Sequence, residues 1–399
     1  LTNIMSQDSI RNFAPSYNGP EGQEDMPWLL TAGPVITSRE VKHAMLADWS
    51  VHDSEFISLT LRISEQLSEL ANSAEDFDCI PLDVSGVAAL ECALSALAPA
   101  GRKRKTLIAA HGLHAKQAEN ILTHIKRPFV KIAGSAYQPV TAKRLSNLLA
   151  SDPDIKTVYL VVTDVLTGLL NPVDELAEVA HAAGCKIIID VRASLGAITL
   201  DLATTWADAI VGVPWVCIES VPGFSFIMIR RELLDGGLVQ CPSASLDLFE
   251  LWNTIQRTGR FPGTPPAHAV AACGAALRQL YLEGGPEMRL RRYGGVHQHL
   301  LKGMAKLGFR PFLGDDVPTC GYLSLFQPAA DAHYSPQQFQ QRLRQKGFVI
   351  MSGEDCPGPA GGFRIGTIGG IDEGVVDQFL VNLEKVMRDL GMRSGAPAK

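Results

Sequence analysis

The sequence has no lysine between Lys186 and Lys302, so no side-chain amine for covalent chemistry comes from the middle of the chain. It has no basic excess either: 36 Lys and Arg stand against 42 Asp and Glu, for a formal net charge of -6. Neutralising phosphates needs a surplus of cations, which argues against a nucleic-acid or membrane-surface partner. The one basic run, Arg102-Lys103-Arg104-Lys105, reads as a solvated loop. The eight cysteines, at positions 79, 92, 185, 217, 241, 273, 320 and 356, show no C-x-x-C spacing. With no secretory signal at its start, the sequence is expected to keep them as reduced, mostly buried thiols of a cytoplasmic protein. No apolar run approaches the roughly 20 residues that a helix needs to cross a bilayer, so no membrane partner is expected.

What the chain does have is length and an alternating pattern. At 399 residues it is too long for one small core. The expected organisation is a polar, mobile N-terminal arm over 1–26, a large domain over 27–285 and a smaller C-terminal α+β domain over 286–399. Within the large domain, the apolar run 159–164 is followed by a helical stretch over 173–183 and by the β-branched run 186–190, which ends on Asp190. Continuous apolar runs alternating with helices mark a buried parallel sheet, whose ligands bind beyond the strands' carboxyl ends. The fold class is therefore α/β.

Several residues at such ends carry chemistry. Asp190 closes its strand, and Arg192, two residues on, points to the same side, where it would neutralise that carboxylate or contact an anionic ligand. The strand at 80–82 runs into Ser85-Gly86-Val87 and an Ala/Leu-rich helix. Small residues there let helix N-terminal N–H groups approach an anion, with a tight strand-to-helix turn and no ligand as the alternative. His111 and His114 follow the strand at 106–110 and are acid/base candidates. A metal site would need a third ligand that the sequence does not place, so no metal is expected. Arg364, in Phe363-Arg364-Ile365-Gly366, offers a planar fork of donors for a planar anion.

Specific stretches carry a family resemblance. Leu29-Leu30-Thr31-Ala32-Gly33-Pro34, the H-x-x-E-F of His52 to Phe56, Thr167-Gly168-Leu169-Leu170-Asn171-Pro172, Val221-Pro222-Gly223-Phe224 and the run from Phe363 to Gly369 resemble the fold-type I pyridoxal-phosphate (PLP) enzymes, class V aminotransferases in particular. The resemblance implies a mostly parallel, seven-stranded-type sheet with helices on both faces, a smaller C-terminal domain and a homodimer. It implies that Ser85, Gly86 and Val87 surround a cofactor phosphate, that Asp164 and Thr167 lie beside the cofactor, and that Asp190 pairs with the pyridinium nitrogen. His114 takes the place of the aromatic that stacks on the pyridine ring, and His111 that of a neighbouring Asn. Thr264 matches the residue that reaches the partner subunit's phosphate site. On the substrate side, Thr31 lies in the matching opening and Arg364 holds a carboxylate or phosphonate.

The departure from the family comes after Asp190. Class V transaminases carry a pattern like S-x-x-K-C-x-x-G-V-P-G-F, whose Lys binds the cofactor. Cys217 and Val221-Pro222-Gly223-Phe224 fix the register here, which puts Val216 on the lysine with Trp215 filling volume beside it. Without that amine the usual Schiff base and the base for proton transfer are both missing. The expectation is an enzyme that works without cofactor on a small carboxylate-bearing substrate, with His114, Asp190 and His111 as acid/base groups. Condensation, cyclisation, hydrolysis or acyl transfer would all suit them. The alternatives are a protein that holds PLP or pyridoxamine phosphate (PMP) noncovalently for amine chemistry, and a catalytically dead binding subunit.

Overall fold

The computed structural model describes residues 26–73, 76–135, 137–353 and 360–398. The expected N-terminal arm, apart from Met26, lies outside them, as does Cys356. The strands, in chain order, are β1 (Trp28–Leu30), β2 (Phe77–Leu82), β3 (Lys105–Ile108), β4 (Phe129–Lys131), β5 (Ile155–Val161), β6 (Lys186–Asp190), β7 (Ala209–Gly212), β8 (Ser225–Arg230), β9 (Leu323–Phe326), β10 (Phe348–Ser352) and β11 (Phe363–Gly366).

Seven of them form one sheet in the order β2-β8-β7-β6-β5-β3-β4. β8 is antiparallel to both neighbours, and the other pairs are parallel. This is the expected α/β sheet. β5 and β6 are apolar throughout their middles because helices cover both faces, and alternate side chains go to opposite sides. Val158, Leu160, Ile187 and Ile189 pack in one cluster with Phe56, Ile63 and Leu67 of the helix Ser54–Leu70 and with Leu277 of the helix Ala267–Glu283. Tyr159, Val161 and Ile188 turn the other way, onto Leu90, Ala93 and Leu97 of the helix Gly86–Leu97 and Leu122 of the helix Gly112–His124. Each fully buried Leu or Ile on these faces contributes about 1.5–3 kcal/mol relative to an exposed one.

The second sheet has the order β1-β10-β11-β9. β1 pairs in parallel with β10, Trp28 opposite Phe348, so residues 28–30 belong to this sheet and not to the domain expected to begin at 27. The reason is packing: Leu30 is buried with Ile350, Phe363 and Phe379, a parallel pairing with the far end of the chain that local pattern does not encode. Among the described residues no helix is long and apolar enough to cross a membrane.

The helix Gly86–Leu97 starts just past β2 and the helix Gly112–His124 just past β3. Gly112 has φ +76°, and a Cβ there would collide with the carboxylate of Asp164. Glycine is therefore what lets the helix bearing His114 start against the turn that follows β5.

Candidate functional site

A cleft of about 620 Å³ opens at the carboxyl ends of the large-sheet strands and is closed on its far side by the second sheet. Ser85, Gly86 and Val87, Leu113 and His114, Val165 and Leu166, Arg192 and Ala193, and Val213, Trp215 and Val216 line it from the large sheet's side. Ala32, Gly33, Met351 and Arg364 line it from the other.

The floor is an ion pair. Asp190, 1 % exposed, ends β6. Its Oδ1 accepts from the backbone N–H and Nε of Arg192, each at 3.0 Å. Its Oδ2 accepts from Arg192 Nη2 at 2.7 Å and from the Tyr159 hydroxyl at 2.6 Å. Arg192 Nη2 also donates to Gln117 Oε1 at 3.0 Å. Burial pushes the Asp190 carboxyl up, but the Arg192 guanidinium, aided by His114 and the Tyr159 hydroxyl, holds it well below the usual carboxylate range. Burial, then the charge of Asp190, pushes the Tyr159 phenol well above its usual value. It stays a donor.

His114 stands over this pair with Nδ1 3.8 Å from Asp190 Oδ2. That nitrogen is buried and has no hydrogen-bond partner among the described residues. Burial pushes His114 down to about 4, with Asp190 raising it and Arg192 lowering it further. The ring is therefore neutral near pH 7.

Ser85 caps the helix Gly86–Leu97, its hydroxyl accepting from Ala88 N–H at 3.3 Å. At the other wall, Arg364 on β11 is 7 % exposed and donates to Ser352 O through Nε at 3.1 Å and Nη2 at 2.9 Å. Among the residues lining the cleft there is no lysine. Val216, 8 % exposed, faces the turn at Gly33, where a Cβ would come within 3.2 Å of its Cγ2.

The structure brings Ser85, Gly86, Val87, His114, Arg192, Trp215 and Arg364 to one cleft. It does not bring all the candidates there. His111 is the extended N-cap residue of its helix (φ -124°, ψ 178°), so its ring leaves the helical face that carries His114 and lies against Gly134 and Arg144. Asp164 accepts the Thr167 hydroxyl at 2.7 Å, and the two brace a turn whose Val165 and Leu166 do the lining. Thr31 donates its hydroxyl to Pro34 O at 3.1 Å, leaving Ala32 and Gly33 at the cleft. Thr264 is exposed and does not line it. Asp190 itself lies behind Arg192. Tyr159 and Gln117 were not singled out by the sequence, although a tyrosine inside the apolar run of a buried strand signals a hydroxyl in need of a partner. Among the described residues no cluster of His, Cys, Asp or Glu could hold a metal ion.

A mostly parallel seven-stranded sheet with a binding cleft at its strands' carboxyl ends defines a class, and the family model for class-V aminotransferases matches residues 54–366. The chain belongs to the class V aminotransferases. It is 35 % identical over 367 residues to a 2-aminoethylphosphonate–pyruvate transaminase of Pseudomonas aeruginosa, covering 92 % of this chain and 98 % of the relative. A 2-aminoethylphosphonate–pyruvate transaminase of Paraburkholderia xenovorans is 34 % identical over 372 residues, covering 93 % and 94 %. In fold it is similar to the pyridoxamine–pyruvate aminotransferase of Mesorhizobium loti, with TM-score 0.81 and 20 % identity over 93 % of this chain and 95 % of that one. The alanine–glyoxylate aminotransferase of Nostoc also superposes with TM-score 0.81, at 19 % identity over 96 % and 100 %.

These findings overturn the expectation that no cofactor is used: membership of this family and identity of this extent to transaminases make PLP the expected cofactor. The residues present fit such a group. The cleft offers the N-terminus of the helix Gly86–Leu97 for a phosphate, the His114 ring on its wall and the Arg192 guanidinium at the floor.

Proposed function

We propose that the chain holds PLP or PMP noncovalently and uses it in amine–carbonyl chemistry on a small substrate bearing a phosphonate or carboxylate. The observation that carries this reading is the cleft's two anion-accepting ends, the N-terminus of the helix Gly86–Leu97 and Arg364, with Val216 instead of an amine on the wall between them.

When bound, the cofactor supplies an electron-withdrawing ring. The chain's own residues do the rest. Ser85, Gly86 and Val87 would hold the phosphate at the positive end of the helix dipole. Arg364, its Nε and Nη2 anchored on Ser352 O, would hold the substrate's anionic group. Trp215, Val165 and Leu166 exclude water, which strengthens both contacts. His114 enters as a neutral imidazole. With Val216 in the lysine's place, proton movement falls to the substrate's own amine, to His114 or to solvent, and turnover should be far slower than that of a lysine-bearing enzyme.

A phosphonate of the kind in the relatives' names is the first substrate to try. A homodimer is part of this reading, as the family resemblance implies, with exposed Thr264 as the residue offered to the partner. The test is titration with PMP and with PLP, followed by absorbance and by tryptophan fluorescence, which Trp215 reports from the cleft wall. Saturable binding reversed by dialysis is expected. No saturable change at millimolar ligand would refute the reading.

A further inference from the structure

Fold-type I enzymes are expected to offer the ring nitrogen a carboxylate, but in this chain the carboxylate does not reach the cleft. Both oxygens of Asp190 are engaged, by three groups of Arg192 and by the Tyr159 hydroxyl. The Asp190 side chain has no exposure, whereas Arg192, 6 % exposed, lines the cleft. Of the Arg192 donors, Nε and Nη2 are used on Asp190 and Gln117. Nη1 donates to no described residue. It lies on the side of Gly86, 3.7 Å from where a Cβ of that residue would be, beside the helix N-terminus that opens the cleft. A charged donor at the floor of the cleft is therefore left open to a ligand.

We infer that Arg192, not Asp190, faces the ring nitrogen of the bound cofactor, and that this nitrogen consequently stays unprotonated. The inference rests on the cofactor reading given above. A guanidinium has donors only and does not give up its proton at neutral pH. The group it meets must supply a lone pair, which a pyridine nitrogen does and a pyridinium does not. A ring N–H⁺ would face a cation across van der Waals distance and could reach Asp190 only by displacing a buried, doubly hydrogen-bonded ion pair. Asp190 is thus a positioning residue: it and Tyr159 hold the guanidinium in place, and its charge is spent there. An unprotonated ring withdraws electrons less strongly, which suits chemistry less demanding than full carbanion stabilisation at the substrate's Cα.

The experiment is nitrogen NMR of PMP labelled at the ring nitrogen, bound to the purified full chain, with occupancy measured separately by equilibrium dialysis. The expected ring signal in the wild type is that of a neutral pyridine, and it stays there in Asp190→Asn, because the aspartate is not the ring's partner. In Arg192→Leu it moves to the pyridinium position, because the carboxylate is then uncovered. A pyridinium signal in the saturated wild type overturns the assignment while leaving the cofactor reading intact. Absence of saturable uptake overturns the cofactor reading and the assignment with it. If either variant does not fold, the wild-type signal alone decides.

Discussion

Arg192 closes over Asp190 with Nη2 2.7 Å and Nε 3.0 Å from the same Oδ2, and so converts a strand-end carboxylate into the buried half of an ion pair. The cleft meets a cation where the family resemblance implies an anion.

Removing one half of the pair leaves the other buried and unpaired. Asp190→Asn should destabilise the fold by about 3–5 kcal/mol, the usual result of breaking a buried pair from one side. Because the folded carboxyl sits below its unfolded value of about 3.9, the stability it contributes is fully present above that pH and is lost as pH falls through the depressed folded value. Urea denaturation as a function of pH should therefore show a steeper acid loss below about pH 4 in the wild type than in Asp190→Asn. Equal slopes would mean the pair is not formed.

His114 has a linkage of the same sign over a higher pH window. Its folded value is pushed down to about 4, so the unfolded chain binds the proton first and stability declines as pH falls from about 6.5 to the folded value. His297, buried between Thr367 and Ser324 and likewise pushed down to about 4, adds a second decline of the same sign. His114→Gln should remove part of it. The direct check is the NMR titration of the His114 ring protons, which should not move between pH 8 and pH 5, a window above the folded value. A midpoint near 6.5, the value of a solvated imidazole, would mean that the folded ring is not buried as described.

Arg364→Ala should weaken binding of a small phosphonate or carboxylate by roughly ten- to a hundred-fold, the equivalent of one charge-assisted hydrogen bond of about 1.5–3 kcal/mol. Calorimetric titration with the ligand on the PMP-loaded protein measures it. Affinity unchanged by the substitution would move the anion site elsewhere.

Fold and site were legible to different depths. The runs ending at Asp164 and Asp190 announced buried parallel strands, because covering both faces with helices demands uninterrupted apolar residues. Arg192 was legible as the counter-charge of Asp190 from its spacing alone. What the spacing could not convey is which of the two faces the cleft, since that depends on a side-chain turn around the strand end. Thr31, Asp164 and Thr167 belong to segments that do form the cleft, but they spend their polar groups on their own turns, and their small or apolar neighbours do the lining. His111 shows how one N-cap residue leaves the face that a three-residue spacing suggests. Pairing β1 with β10 required knowledge of a contact between the chain's two ends.

In the proposed reading, Val216 is the residue that leaves the cofactor without a covalent bond. Val216→Lys places an amine on the cleft wall beside Gly33, and if the wall is where the family's lysine stands, PLP added to this variant should become reducible onto it. Absorbance of the variant with PLP should show a new band above the sum of its parts, abolished by borohydride. No band in a folded, PLP-binding variant would place Val216 outside reach of the cofactor.

The most direct test of the central claim uses the unaltered protein: saturate it with PLP, treat with borohydride, remove free ligand and map modified residues by mass spectrometry of its peptides. Saturable, dialysable binding with no stoichiometric pyridoxyl adduct on any lysine is the predicted result. A single lysine labelled in proportion to occupancy would contradict it.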